Sequence, residues 1–150
     1  MTPRRPLLTL VTGEAPVCSA TRQARAGAAS VALLSGTADP ELWVGATIRR
    51  DGAGLLARWT DARSGLPVTV RVSPPQRTTG GAVEATAEWT LGADGRGSAQ
   101  LRVAPHGRQL VRLQLTVFGE PGTAAHALQP ASAAFLERLA GAAERRALAS

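Results

Sequence analysis

Residues 83–117 read VEATAEWTLGADGRGSAQLRVAPHGRQLVRLQLTV. Apolar and polar residues alternate in three runs of this stretch, and Gly, Asp, Pro and His residues separate the runs. Alternation with a period of two indicates strands that bury one face, and clusters rich in Gly or Pro indicate turns. The stretch therefore predicts three consecutive antiparallel strands, which end near Leu91, Val103 and Val117.

The same alternation extends toward the N-terminus and predicts three further strands. It covers residues 42–48, 55–62 and 66–73, and the last of these runs ends at Pro74-Pro75. Proline stops a strand because it lacks the backbone N–H that a ladder needs. Six strands with one apolar face predict an antiparallel sheet that is wetted on one side and covered on the other.

A C-terminal segment can supply the cover. Residues 131–148 are rich in Ala and place apolar side chains at helical spacing, which predicts an amphipathic helix. On its polar face Glu137, Arg138, Glu144 and Arg145 are predicted to meet water. The apolar stripe consists of Phe135, Leu136, Leu139, Ala143 and Ala147.

The segment before residue 42 predicts a strand and a short helix. Residues 28–34 read as a helix that ends at Ser35-Gly36, and Val17–Ala26 reads as the first strand. Leu7–Val11 is an alternative for that first strand. We therefore predict a single domain over residues 17–150, preceded by an N-terminal extension at residues 1–16.

Several of these segments resemble the START-like superfamily, also called the SRPBCC or polyketide cyclase/dehydrase group. AGAASVALL at 26–34 is similar to the family's segment that ends the first strand and opens a helix, and DPELW at 39–43 resembles its approach to the second strand. FLERL at 135–139 resembles the helix that the sheet grips. The resemblance spans roughly residues 17–147. It implies an α+β helix-grip fold, in which a curved antiparallel sheet of about seven strands is covered by a long C-terminal helix.

The resemblance also implies a function. In this family the sheet and the helix enclose an apolar cavity for lipids, sterols, polyketides or other hydrophobic small molecules. Our leading hypothesis is therefore non-catalytic binding of a hydrophobic small molecule or lipid between sheet and helix. Two alternatives stay open: an enzyme of the polyketide cyclase or aromatase type, and a chaperone or adaptor that uses the sheet as a docking surface.

Large inward-facing side chains mark the candidate ligand site. Trp59 and Trp89 are in phase with the apolar residues of their strands, so they pack in the core or line a cavity. Trp43 is out of phase with its neighbours and is predicted to be exposed, where it would offer a surface to a protein partner. The predicted ligand-binding residues are Trp59, Trp89, Leu113, Leu115, Phe135 and Leu139.

Candidates for chemistry are few. Asp61, in phase with Trp59, is the one acidic residue predicted to face a cavity. His106 and His126 stand in turn-like or Ala-rich contexts without the spacing of metal ligands. No glycine-rich segment lies between a strand and a helix in the way that phosphate binding requires. We therefore expect no metal and no cofactor.

Composition bounds the partners. All 17 basic residues are Arg, and the formal net charge is +6. Basic side chains bind phosphates when they cluster, but these arginines are dispersed, and the lack of Lys is typical of a GC-rich coding sequence, so we expect no nucleic-acid partner. Leu, Val, Ile and Phe number 32 against 29 Ala. Alanine at inward positions either lets a helix pack closely or leaves room for a ligand.

Cysteine usage and hydropathy indicate the compartment. One cysteine, Cys18, excludes an intrachain disulfide and fits a reducing environment. Residues 4–11 have the basic-then-apolar order of an export signal, but the apolar part is too short for one. No run of about 18 apolar residues occurs, as a membrane span would need. We expect a cytoplasmic protein without a transmembrane segment.

Overall fold

A computed structural model describes residues 15–119 and 127–149. Within these ranges the chain forms one antiparallel sheet and two α-helices. A short 3-10 helix, Thr79–Gly81, precedes the sixth strand. The elements in chain order are β1 (Ala15–Ala24), α1 (Ala28–Ser35), β2 (Thr47–Asp51), β3 (Gly54–Thr60), β4 (Pro67–Val72), β5 (Gln76–Arg77), β6 (Val83–Leu91), β7 (Gly95–Pro105), β8 (Val111–Gly119) and α2 (Gln129–Ala149).

The sheet has eight strands, and seven of them follow the spatial order β1-β8-β7-β6-β4-β3-β2. The two-residue strand β5 pairs with β6 beside this path. The last strand, β8, pairs with the first strand, β1, so the strands that begin and end the sheet in sequence lie side by side. This arrangement confirms the predicted α+β helix-grip class, and β5 is an addition to the seven strands expected.

Burial follows the alternation that predicted the strands. In β6 the side chains of Val83, Ala85, Trp89 and Leu91 are buried, while Thr86, Glu88 and Thr90 are exposed. The exposed face carries charge pairs, such as Arg102 Nη1 with Glu84 Oε2 at 2.7 Å on neighbouring strands. One face of the sheet therefore packs inward and the other meets water, as the sequence pattern indicated.

The long helix α2 covers the inward face. It packs against β1, β8 and α1. Its buried residues join the core through Leu136, Leu139, Ala140, Ala142 and Ala143. Small residues at three of these five positions let the helix backbone approach its neighbours closely. Neither described helix combines the length and hydrophobicity that a membrane span requires.

The predicted strand at residues 42–48 is wrong over most of its length. Strand β2 begins only at Thr47, and the segment before it is folded by turns. The amides of Leu42 and Trp43 both donate to the Asp39 carbonyl oxygen, at 3.0 and 3.2 Å, and Gly45 has φ of +79°. The hydrogen bonds of the turn and the left-handed conformation of Gly45 therefore determine the structure of this segment, and the short alternation of apolar residues does not.

The turn conformation also overturns the predicted exposure of Trp43. Its side chain is 8% exposed and belongs to the main core cluster. The expected protein-partner surface at Trp43 therefore has no exposed aromatic side chain to support it. Instead, the loop of residues 37–46 brings this indole inward.

The first strand is β1, which matches the predicted Val17–Ala26 more closely than the alternative at Leu7–Val11. That alternative lies outside the described residues. So does most of the predicted extension at residues 1–16, although Ala15 and Pro16 belong to β1. His126 also lies outside the described residues, while His106 is exposed in the turn after β7.

Candidate functional site

A cavity of about 280 Å³ lies between the sheet and the N-terminal half of α2. Strands β3, β4, β6, β7 and β8 form its floor, the loop before β2 forms a wall, and α2 forms its roof. Its size is just below the usual range for sites of drug-sized ligands. The lining residues are Ser35, Trp43, Val44, Ala46, Trp59, Val70, Val72, Ala85, Thr86, Ala87, Trp89, Ala99, Leu101, Leu115, Val117, Leu128, Ala131, Ser132, Ala134, Phe135 and Arg138.

Small residues on adjacent strands leave room for this cavity. Ala87 on β6 stands directly opposite Ala99 on β7, and Ala85 stands opposite Leu101. Directly paired side chains of a sheet occupy neighbouring positions on the same face. Larger side chains at Ala87 and Ala99 would fill this space, whereas the two methyl groups leave it empty.

The cavity lies where two apolar clusters meet. The larger cluster contains Leu113, Leu136 and Leu139, and the smaller one contains Trp89, Val117 and Leu128. Trp59 and Val70 pack against both clusters. Leu128, just before α2, joins one cluster, and the middle of α2 joins the other. The helix is thus anchored on both sides of the space that it covers.

Aromatic rings form one wall. The ring centroids of Trp43 and Phe135 are 4.8 Å apart, within the separation that interacting aromatic pairs favour, and their planes are tilted by 45°. Trp43 Nε1 donates to the Thr37 carbonyl oxygen at 3.2 Å. This bond and the ring contact hold the loop against α2, so the wall is fixed from both ends.

Trp89 crosses the sheet at the other end of the cavity. Its Nε1 donates to the carbonyl oxygens of Ser98 on β7 at 3.0 Å and of Phe118 on β8, one strand further, at 3.2 Å. The indole occupies the space that a side chain at Gly97 would need, since a Cβ there would be 2.7 Å from Trp89 Cζ2. The absence of a side chain at Gly97 therefore leaves room for this ring.

The predicted ligand-binding residues fall into two groups. Trp59, Trp89, Leu115 and Phe135 line the cavity. Leu113 and Leu139 do not belong to the lining and are 0% exposed in the core beside it. Alternation assigns a side chain to a face of the sheet, but the position along the strand decides whether α2 closes on it or leaves a gap.

Asp61, the residue predicted as a catalytic candidate, does not line the cavity. It lies in the turn between β3 and β4, where its carboxylate accepts hydrogen bonds from Ser64 Oγ at 2.7 Å and from the Ser64 amide at 3.0 Å. These bonds, the side-chain one first, lower the pKa of Asp61. Strand β3 ends at Thr60, so the alternation that predicted an inward side chain no longer applies at Asp61. Its hydrogen bonds to Ser64 stabilise the turn instead.

Arg138 is the lining residue that the sequence interpretation placed in water. Its side chain is half-buried at the cavity, and its Nε donates to the Leu42 carbonyl oxygen at 2.8 Å. Burial lowers the pKa of the Arg138 guanidinium. Arg145 and Arg146 lie seven and eight residues further along and pair with Glu41 and Asp39. This spacing places the three arginines on one helix face. Together with Asp39 and Glu41 in the loop, it is the sequence signal that could have predicted a contact between α2 and the loop.

The described residues contain no group of three His, Cys, Asp or Glu side chains that could hold a metal ion. Cys18 is buried in the smaller apolar cluster, and burial raises the pKa of its thiol. A raised pKa keeps the thiol protonated at neutral pH and makes it a poor nucleophile.

The described residues have a helix-grip fold, and several solved structures are similar to it. The Zhui aromatase/cyclase from Streptomyces sp. R1128 is similar to it with a TM-score of 0.64 and 18% identity, covering 89% of this chain and 96% of that one. The lipid transfer and protein localization domain of human StarD13 has a TM-score of 0.56 and 12% identity, with coverage of 83% and 75%. A hypothetical protein from Helicobacter pylori has a TM-score of 0.60 and 12% identity, with coverage of 83% and 86%.

At these identities the likeness establishes a common fold. Comparison of the sequence with known protein families and with curated proteins finds no match in either.

Proposed function

We propose that the protein binds a hydrophobic small molecule non-covalently in the cavity beneath α2. Three tryptophans and Phe135 lie in the lining, together with aliphatic residues of four strands. Aromatic and aliphatic walls favour an apolar ligand because its burial removes nonpolar surface from water. In this proposal Trp59, Trp89, Leu115 and Phe135 contact the ligand, while Leu113 and Leu139 support the site from behind.

We favour binding over catalysis because the described lining contains no acid–base group. The described lining residues include no Asp, Glu, His or Lys, and Arg138 is the one charged residue among them. General acid–base catalysis requires a group that gains or loses a proton near neutral pH. An arginine does not serve this role because it stays protonated. The cyclase alternative therefore has less support, although a cyclase/aromatase shares the fold.

The test uses N-phenyl-1-naphthylamine, an uncharged dye whose fluorescence rises in apolar surroundings. Energy transfer from tryptophan reports binding near the cavity, since three tryptophans line it. Ala87→Leu would add three carbon atoms to the cavity floor. We expect this variant to bind the dye at least about tenfold more weakly, a loss of about 1.4 kcal/mol.

Ala104→Leu is the matched control. Ala104 follows Val103 on β7, so its side chain is on the opposite face from the cavity. We expect its dye affinity to equal that of the wild type. Failure of the wild type to bind the dye, or equal affinity in the Ala87→Leu variant, would contradict the proposed site.

A further inference from the structure

Building on the proposed function, we infer that the natural ligand has an apolar body and one carboxylate, and that Arg138 binds the carboxylate. The inference begins from an imbalance of charge. Arg138 lines the cavity, and no described lining residue is acidic. An arginine set in an otherwise uncharged lining is costly without an anion, because burial removes part of its hydration.

The contacts of Arg138 differ from those of the other arginines on α2. Arg145 Nη2 lies 2.6 Å from Glu41 Oε1, and Arg146 Nη2 lies 3.4 Å from Asp39 Oδ2. Arg138 has no salt bridge within the described part of the chain, and its partner there is the neutral Leu42 carbonyl oxygen. Two acidic residues of the adjoining loop are thus engaged by arginines further along the helix, and Arg138 keeps an unneutralised charge.

The bond to Leu42 also sets which donors remain. Nε is engaged at 2.8 Å, so the terminal Nη1 and Nη2 groups keep their N–H donors for another acceptor. The planar guanidinium presents these two groups as a fork that matches the two oxygens of a carboxylate. Since the loop holds the guanidinium before a ligand arrives, less side-chain freedom is lost on binding than for an unrestrained arginine.

Desolvation supports the same conclusion. Burial lowers the pKa of Arg138, which means that its charged form is less well solvated than in water. A carboxylate at the terminal nitrogens would restore the lost stabilisation through charge-assisted hydrogen bonds. A neutral ligand of the same shape would leave the charge uncompensated. The cavity is thus suited to an apolar carboxylic acid in its ionised form.

The experiment compares two matched ligands, naphthalene-2-carboxylate and its neutral analogue naphthalene-2-carboxamide. Each displaces N-phenyl-1-naphthylamine from the full chain at neutral pH, and the ratio of their two displacement constants measures the preference for the anion. In Arg138→Met we expect this ratio to shift at least about tenfold toward the amide. Comparing ratios cancels the different hydration of the two ligands, because both proteins start from the same solutions.

Two further variants separate charge from packing. Arg138→Lys keeps a positive charge, and we expect it to retain more of the carboxylate preference than Arg138→Met. Arg145→Met removes an exposed cation from the same helix, paired with Glu41, and we expect its ratio to equal that of the wild type.

Equal ratios in the wild type and Arg138→Met, with dye binding intact, would overturn this inference and leave the proposed function standing. A wild type that does not bind the dye would overturn the proposed function itself. A shift in Arg145→Met as large as in Arg138→Met would also refute the inference, because the effect would then follow the net charge of the helix.

Discussion

Gly97→Ala is expected to destabilise the protein strongly, although it adds a single methyl group. A Cβ at residue 97 would overlap the Phe118 carbonyl oxygen and would lie 2.7 Å from Trp89 Cζ2. Real Cβ contacts essentially never fall below 3.0 Å, so both contacts are too short. The obstacle is backbone and a buried ring, so neither neighbour can rotate away freely.

The magnitude follows from what must move. Overpacking of a filled core costs about 1–3 kcal/mol. Displacing the indole also weakens the bonds of Trp89 Nε1 to Ser98 and Phe118, and a buried donor without acceptors costs about 1–3 kcal/mol. The lower entropy of an unfolded chain with alanine offsets about 0.4–1 kcal/mol. We expect a net loss of about 1–5 kcal/mol in the free energy of unfolding.

Urea unfolding followed by tryptophan fluorescence and far-ultraviolet circular dichroism measures this loss. Gly36→Ala is the matched control, because its Cβ would meet the Pro75 side chain at 3.7 Å, an ordinary contact, and its φ is −97°. We expect the control to remain within about 0.5 kcal/mol of the wild type. An equally small change in Gly97→Ala would refute the role assigned to the glycine in seating Trp89.

Two further predictions concern residues beside the cavity and remote from it. Leu139→Ala should lose about 2–5 kcal/mol of stability because the side chain is 0% exposed, yet its dye affinity should stay within about twofold of the wild type; a selective loss of dye binding in a stably folded variant would return Leu139 to the ligand site. Asp61→Ala should lower stability at pH 7, since a carboxyl whose pKa is lower in the folded state contributes fully above its ordinary pKa of about 4 and progressively less below it. Urea unfolding at several pH values measures this difference, and a gap from the wild type that stays constant on acidification would contradict the assignment.

Local pattern was enough to predict most of the fold. The strand at 83–91 has the boundaries expected from alternation, and the helix predicted at 131–148 forms as Gln129–Ala149. Periodicity predicts such segments correctly because the position of a residue within a strand or helix decides whether its side chain points to the buried face. The inward faces of Trp59, Trp89 and Leu115 followed from the same reasoning.

The positions of Trp43 and Arg138 depend on contacts between distant parts of the chain. Trp43 turns inward because the Asp39 carbonyl accepts two local amide bonds and because Phe135 supplies a ring to pack against. Arg138 is half-buried because its Nε donates to the carbonyl oxygen of Leu42. Each case requires the docking of a loop on a helix across about a hundred residues of sequence, and no periodicity within either segment encodes it.

Alanine performs two opposite tasks in this molecule. Ala140, Ala142 and Ala143 bring α2 close to its neighbours, whereas Ala87 and Ala99 keep the floor beneath it low. Because the two sets lie on different elements, a substitution on the cavity floor can alter the size and shape of the cavity. The contacts of α2 with its neighbours would stay the same. Under the proposed function, single substitutions on the sheet can therefore change which ligand fits the cavity, while the fold that encloses the cavity stays the same.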